Sequence, residues 1–469
     1  MRGEESIVPE SRPTDGPVDI VILGGGSGGY ACALRAAELG LSVVLVEKDK
    51  VGGTCLHRGC IPTKALLHAA EIADGARDSE QFGVKASFDG IDMAGVNAYK
   101  GKVVEKMFKG LTGLIKGRGI EVVAGEGKLV SRTAVQVGDR RIEGRHVVLA
   151  TGSYSKSLPG LDVDHERVLT SEDALRLERV PSSVVVLGGG VIGVEFASVW
   201  RSFGADVTIV EALPHLLPTE EEGSSKRLER AFRKRGIAFE LGSRFSGVKV
   251  TDHGVTVSLE SGTTLEAELL LVAVGRGPVS ADLGYDDVGV AMDRGFVLVD
   301  GRLRTNIPSI SALGDLRPGL QLAHVGFAEG IFLAEELAGL DPIPVDYVNV
   351  PRVAYCEPEV AGVGLTAAQA ADAGHEVVTF AYDLAGNGKA QILATAGAVT
   401  LVAVKDGPVI GIHIVGARAG ELIAEAQLIT NWEAHAQDVA QLVHPHPTLS
   451  EAIGEAHLAL AGKPLHSHS

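Results

Sequence analysis

Apolar positions along the chain fall into short β-forming runs and stretches at helical spacing, and their order of alternation predicts the architecture. Val18 to Leu23 is a β-forming run that ends in Gly24-Gly25-Gly26-Ser27-Gly28-Gly29, after which Tyr30 to Leu39 carries helical periodicity. A second strand, Ser42 to Val46, ends at Glu47, 23 residues beyond Gly24. The same succession returns at Val184 to Leu187, followed by Gly188, Gly190 and Gly193, a helix from about Val194 to Phe203, and a strand Asp206 to Val210 that ends at Glu211. Glu211 is again 23 residues past its first glycine, and the two copies stand 164 residues apart. A repeated βαβ unit with matching glycines and a matching acidic end predicts duplicated Rossmann-like dinucleotide-binding domains in an α/β fold.

The pattern has a physical reason. Glycines permit a tight turn and let backbone amides approach a pyrophosphate, which rests at a helix N-terminus. The strand-ending Glu would accept hydrogen bonds from ribose hydroxyls. At Glu211 a carboxylate would also repel a 2′-phosphate, which favours NAD over NADP; the plainer reading of Glu211 is a solvated strand end.

Shorter runs complete the plan. His146 to Thr151 and Leu269 to Val274 are apolar strands ending in Thr151-Gly152 and Gly275-Arg276, suited to crossings between the two dinucleotide domains, and Ser309 to Leu313 ends at Gly314-Asp315. From Tyr347 onward the glycine fingerprint is absent. A separate α+β unit is expected there, with strands near Val399 to Lys405 and Pro408 to Val415 and a helix from about Gly420 to Glu433.

Composition narrows the classes. A length of 469 residues suits about three or four domains. With 45% hydrophobic residues, 4% aromatics and 60 glycines, the interior must be aliphatic with close backbone contacts. A formal charge of −17 argues against a surface that collects nucleic-acid phosphates. Residues 1–17 read as a loose polar tail without the basic start and apolar stretch of a secretory signal, and Leu465 to Ser469 as a frayed terminus. No apolar run approaches the roughly 18 residues of a membrane span, so a cytoplasmic protein is expected.

Two of the four cysteines, Cys55 and Cys60, stand five positions apart in Gly52-Gly53-Thr54-Cys55-Leu56-His57-Arg58-Gly59-Cys60-Ile61-Pro62-Thr63-Lys64. Cys60 heads a helix expected to run to about Ala73, with Pro62 in its opening turn, where the missing N–H costs nothing. A thiolate there would be stabilised by free amides and the helix dipole. With His57 alone beside them, the two thiols make a poor zinc site, and no metal is expected. A structural disulfide closing so short a loop would add little in a reducing compartment. Inert burial is the other reading, and the one that fits Cys32 and Cys356.

The segment GGTCxxxxCIPTK, the two glycine fingerprints and the C-terminal motif His444-Pro445-His446-Pro447-Thr448-Leu449-Ser450-Glu451 together resemble the flavoprotein disulfide reductases, over about Val18 to Leu458. The resemblance implies an FAD domain over 18–154, an NAD domain over 155–276, a central domain over 277–346 that completes the FAD site, and a dimerisation domain over 347–469. It implies that FAD lies on Gly24, Gly26 and Gly29 with Glu47 on its adenosine ribose, and that Gly314 and Asp315 hold the ribityl and pyrophosphate region. Lys48, Gly53, Thr54, Thr151, Gly152, Ala323 and His324 join this expected cofactor set. NAD would lie on Gly188, Gly190, Gly193 and Glu211, with Gly275 and Arg276 nearby. Lys64 is expected under the flavin, paired with Glu195; four residues after Cys60, it shares that residue's helical face, although a solvated Lys would fit the spacing too.

Prolines on both sides of His446 fix its placement, as a general base requires. By the resemblance His446 is the base and Glu451 its orienting partner, acting across a homodimer interface. Thr448 and Glu451 also satisfy a capping box, so Glu451 could instead serve backbone amides. His444 is expected to be a structural neighbour. The implied reaction takes a proton from a dithiol at His446, attacks Cys55, and passes electrons from Cys60 through FAD to NAD⁺.

Within the family the chain looks most like the dihydrolipoyl dehydrogenases, whose partners are lipoyl domains of 2-oxoacid dehydrogenase or glycine cleavage complexes. It lacks the extra C-terminal cysteine pair of mercuric reductases, its Glu211 departs from the NADP preference of glutathione-type enzymes, and its cysteine pair separates it from flavin transhydrogenases. The stretch Val415 to Ile423 looks like their interface segment. His57 stands where the family often has Asn, and Cys356 where Thr is common in YxxPEVAxVGLT, which puts redox tuning in question. A reading of another class is a mainly structural subunit with a vestigial redox site.

Overall fold

The computed structural model describes residues 16–466, so most of the expected N-terminal tail and the last three residues lie outside the described residues. The chain forms two compact units, each discontinuous in sequence. One comprises the residues up to Pro62, Tyr99–Ser155 and Arg276–Val345; the other comprises Thr63–Ala98, Lys156–Gly275 and the residues from Asp346 onward.

The first unit is built on parallel strands in the order Glu121–Ala124, Val43–Glu47, Val18–Leu23, Arg140–Leu149 and Ile310–Ala312. Their near-continuous apolar runs follow from burial on both faces. Val21 and Leu23 pack on one face with Val46, Leu149 and Leu316. Ile20 and Ile22 point the other way, into a cluster with Leu45, Cys32, Ala36 and Leu333. The long strand Arg140–Leu149 also pairs through its first half with the antiparallel strand Ala134–Val137, which pairs in turn with Gly127–Ser131.

Over that second face cross the helices Ser27–Glu38 and Ala323–Leu337, so closely that side chains are excluded. A Cβ at Gly330 would collide with the Gly28 carbonyl and lie 2.8 Å from the Cys32 amide nitrogen, and one at Gly28 would lie 3.1 Å from the Gly326 oxygen.

The second unit carries a parallel sheet in the order Ala238–Glu240, Asp206–Val210, Ser183–Leu187, Leu269–Val272, Val168–Leu169. A three-stranded antiparallel sheet, Phe245–Thr251, Gly254–Leu259 and Thr264–Ala267, accompanies it. A five-stranded antiparallel sheet follows in the order Arg352–Ala354, Glu359–Gly364, Val409–Gly416, Ala398–Val404, Val377–Asp383. The helices Ala419–Asn431 and Glu451–Leu460 cover it with a core that includes Leu401, Ile412, Ile423 and Ile453.

Boundaries depart from the sequence reading for a consistent reason. The two fingerprint helices begin at Ser27 and Val191, a turn earlier than expected. Gly28, Gly29 and Gly193 in those opening turns lack the side chains that periodicity counts. The helix from Cys60 runs on to Arg77, and a short helix, Gly53–Arg58, carries Cys55. The 25-residue helix Met93–Gly117 was not legible, because it buries few apolar side chains, among them Leu111 and Ile115.

Gly330→Ala is expected to destabilise the protein by about 1–3 kcal/mol, the usual cost of overpacking. Chemical denaturation would measure it, and an unchanged midpoint would mean that the two helices part freely.

Candidate functional site

The two glycine turns are built alike to the level of individual atoms. Gly24 and Gly188 sit at φ of +110° and +111°, a region open to glycine. A Cβ at Gly29 would strike the Gly24 carbonyl, and one at Gly193 the Gly188 carbonyl. Gly26 and Gly190 cap the two helices without any side-chain hydrogen bond, and a Cβ on either would meet no protein atom within 4 Å. Each turn thus leaves open space in front of uncapped helix amides, which fits a bound phosphate.

Each acidic strand end folds back onto its turn. Glu47 accepts from the Gly25 amide at 2.7 Å and the Asp49 amide at 2.8 Å. Glu211 accepts from the Gly189 amide at 2.6 Å and the Leu213 amide at 2.8 Å. Glu211 is buried rather than a solvated strand end. Carboxylate oxygens retain lone pairs for a ribose after one bond each.

In the first unit the cysteine segment is locked to the first turn. The Gly52 amide donates to Gly25 O at 2.8 Å, and a Cβ on Gly53 would lie 2.7 Å from the Gly26 Cα. Cys55 and Cys60 are half-buried, Cys60 as the first residue of its helix. Burial, and then the electrostatic effect of Cys55 and Cys60, push the Tyr30 phenol up to about 12. His57 Nε2 donates to Val51 O, 2.9 Å away, and the ring packs edge-on against Phe108. Thr54 abuts Gly59 between the two cysteines.

The Gly314–Leu316 turn is fixed from below by Glu329, which is fully buried. Glu329 accepts from the Gly314 amide at 2.6 Å and pairs with Arg317. Asp315 accepts from the Ser153 hydroxyl at 2.5 Å, and Arg276 donates to the same hydroxyl at 2.8 Å and to the Ser153 carbonyl at 2.7 Å. Thr151 donates to Val279 O at 2.6 Å, and Gly152 accepts from the Val279 amide at 2.9 Å. Ala323 opens its helix and His324 is exposed there. Lys48 points to Glu126 at the surface, 3.7 Å away, rather than to the turn.

In the second unit Lys64 reaches both carboxylate oxygens of Glu195 at 2.9 Å. The Glu195 side chain is 3% exposed and also accepts from the Tyr355 amide at 2.9 Å, while the Lys64 ammonium lies 4.9 Å from the centre of the Tyr355 ring. Tyr355 escaped the sequence reading, although the YxxPEVAxVGLT pattern begins with it. Burial drives the neighbouring Cys356 thiol well above its ordinary range, so it is inert as a nucleophile. Gly275 lies beyond the strand Leu269–Val272, its carbonyl accepting from the Lys156 amide at 3.0 Å.

His446 Nδ1 lies 2.8 Å from Glu451 Oε1, while Glu451 Oε2 accepts from the Thr448 amide at 2.7 Å. Glu451 therefore both caps and pairs, one oxygen for each task. Burial acts to raise its pKa, but the Thr448 amide and His446 outweigh this and hold it below the usual Glu value. Its stabilising contribution is thus present above the unfolded value and is lost only as pH falls through the depressed one. With Nδ1 engaged, Nε2 of the exposed His446 ring is directed away from Glu451. His444 Nε2 lies 2.7 Å from Glu425 Oε1.

Residues 18–330 match the pyridine nucleotide-disulphide oxidoreductase model and residues 350–457 the dimerisation domain of the same group. The chain belongs to the pyridine nucleotide-disulphide oxidoreductases, and its cofactors are FAD and NAD. It is 40% identical to a dihydrolipoyl dehydrogenase of Bacillus subtilis, over 96% of this chain and 99% of that one. It is likewise 40% identical to a leghemoglobin reductase of Vigna unguiculata, over 96% and 88% of the two chains. The crystal structure of LpdA from Mycobacterium tuberculosis superposes with a TM-score of 0.88 at 28% identity, over 94% of this chain and 99% of that one. No helix among the described residues is long and apolar enough to cross a membrane.

Glu211→Ala leaves the Gly189 and Leu213 amides without their acceptor and is expected to cost about 1–3 kcal/mol. Urea unfolding compared with the parent would register it; an unshifted midpoint would mean that water replaces the carboxylate at no cost.

Proposed function

We propose that this chain is a dihydrolipoyl dehydrogenase, oxidising lipoyl-bound dithiols with NAD⁺ as acceptor. The observation that carries the reading is a cysteine pair clamped onto the first glycine turn in a chain that also holds His446 pinned by Glu451. In this reading FAD occupies the first turn, with Glu47, Thr54, Gly152, Gly314 and Asp315 around it, and NAD the second. Arg276, committed to Ser153, braces Asp315. The lipoyl domains of 2-oxoacid dehydrogenase or glycine cleavage complexes are the macromolecular substrates. The cytoplasm is the site of action, a reducing compartment in which a dithiol–disulfide pair cycles.

The chemistry follows from the residues. His446 Nε2 takes a proton from one thiol of dihydrolipoamide, and the thiolate attacks Cys55 Sγ, breaking the Cys55–Cys60 disulfide. Cys60 leaves as a thiolate at the head of its helix, where dipole and amides favour negative charge. The second substrate thiol displaces Cys55 from the mixed disulfide, releasing lipoamide and leaving two reduced cysteines. Bound FAD supplies the two-electron link between this dithiol and NAD⁺. The Glu195 carboxylate holds the Lys64 amino group in place, and Glu211 disfavours a 2′-phosphate.

The protein acts as a homodimer in this reading, with His446 serving the partner's cysteines. Trp432, 74% exposed, and the exposed Leu428, Leu442 and Val443 are large apolar side chains of the dimerisation region suited to burial against a second copy.

Anaerobic mixing with dihydrolipoamide and NAD⁺ should produce NADH, with little product from NADP⁺ or from NADPH and oxidised glutathione. His446→Gln should slow the dithiol reaction by about 10²–10⁴-fold, the usual weight of general base catalysis, and Cys60→Ser should abolish it. Turnover of glutathione alone would overturn the substrate assignment, and a Cys60→Ser protein of undiminished biological role would favour a structural subunit.

A further inference from the structure

The His446 side chain is 76% exposed, so little packs around it, and its place must be set through its chain neighbours and its bond to Glu451. The downstream side is tied firmly. The Thr448 amide donates to Glu451, its hydroxyl donates to Pro445 O at 2.7 Å, and its carbonyl accepts from the Asn387 amide group at 3.0 Å. The upstream side depends on His444. That ring is only 11% exposed and is wedged between two helices. Ala419–Asn431 presents Glu425, whose carboxylate meets Nε2 at 2.7 Å. Glu451–Leu460 presents bare backbone at Gly454, where an added Cβ would lie 2.6 Å from Nδ1 and 2.9 Å from Cε1 of the ring.

We propose that His444, clamped by Glu425 and seated on Gly454, is the positioning residue that holds His446 in place for proton transfer. This inference rests on the proposed dithiol dehydrogenase function. Pro445 and Pro447 fix φ on either side of His446, so a shift at His444 is passed along the segment rather than absorbed.

The charges around the ring are consistent with this task. Glu425 faces it from one helix, Glu451 and His457 from the other, and His446 along the chain. The hydrogen bond to Glu425 raises the His444 pKa, against the effect of burial. His457 is buried with Nδ1 2.7 Å from Ile453 O, and burial lowers its pKa to about 4, so it stays neutral beside the pair. A positive His444 helps keep Glu451 ionised.

The test compares dithiol oxidation with oxidation of NADH by an artificial electron acceptor, which requires no proton removed from a thiol. A displacement of order 1 Å costs on the order of 100-fold in rate, so His444→Ala should lower kcat/KM for dihydrolipoamide about 10- to 100-fold. The artificial-acceptor rate should be unchanged, and the acid limb of the dithiol pH profile should move to higher pH as Glu451 loses a positive neighbour. His444→Gln, which keeps a donor for Glu425, should recover much of the rate. Gly454→Ala, which displaces the ring without removing it, should show the same selective loss.

A His444→Ala enzyme with the parent's dithiol rate and pH profile would overturn the proposal. If that variant fails to fold, Gly454→Ala and Glu425→Gln decide in the same way: selective loss supports the proposal, and full activity overturns it. The parent protein is assayed first, so failure of the dehydrogenase reading appears there, whereas failure of this inference appears only in the variants.

Discussion

The structure depends on a carboxylate used twice: a Glu at a strand end reaching back to the amide of the second residue of a glycine turn. Glu47 does this to Gly25 and Glu211 to Gly189. The turn needs such a tie because its glycines are chosen for the absence of side chains, which leaves the loop few contacts of its own. Gly24 and Gly188 take up backbone conformations of positive φ, and Gly29 and Gly193 press against their carbonyls. The carboxylate joins the loop to the end of the neighbouring strand. It thereby fixes the distance between the helix amides, where a phosphate would sit, and the strand end, where a ribose would sit. In the first unit the same turn also receives the cysteine segment through Gly52 and Gly53, so the redox pair inherits its position from the nucleotide loop.

Much of this was legible because backbone demands leave few residue choices. Only glycine satisfies the close approaches at Gly29 and Gly193, so the two turns declare themselves in any reading of the chain, and the parallel strands follow from their unbroken apolar runs. What escaped the sequence was partnership at long range. Glu329 holds the Gly314 turn by a buried pair with Arg317, and Tyr355 joins Lys64 and Glu195 from 160 residues beyond Glu195. Glu329 has no local signature, since a buried carboxylate in a helix looks like any surface Glu until its neighbours are known, and the pattern that begins at Tyr355 does not say what that residue touches. Glu451 shows a subtler limit. Capping and pairing were competing readings of one residue, yet a carboxylate has two oxygens, and here each takes one role.

The second unit contrasts two ways of placing a charged group. Glu195 is buried and over-determined by Lys64 and the Tyr355 amide. Three residues further along the same helix, Ser198 accepts from the Glu357 amide at 3.0 Å and from Arg235 at 2.8 Å. Arg235 continues to Ser202 at 2.7 Å and to Asp74 at 3.0 Å, on the helix that carries Lys64. Glu195, Ser198 and Ser202 recur at helical spacing, so one face of the helix Val191–Phe203 is a ladder of polar ties to the Lys64 helix and to the 355–357 segment. Breaking any rung would leave buried polar groups unpaired, which is costlier than the bond itself is favourable.

In the proposed role of base, His446 cannot be held that way, because contact with a reacting thiol requires it to stand clear of its own core. Placement must then come from stiffness along the chain. The His-Pro-His-Pro-Thr segment supplies it with two prolines between two anchored ends. The same reading accounts for the sharp difference in burial between His444 and His446, two residues apart: the proposed positioning residue is enclosed and the proposed base is open. Mobility at the base would spread its Nε2 over many orientations and reduce the fraction aligned for proton transfer, the quantity that general base catalysis depends on most directly. The opposed demands of access and alignment are met by separating them onto two residues of one stiff segment.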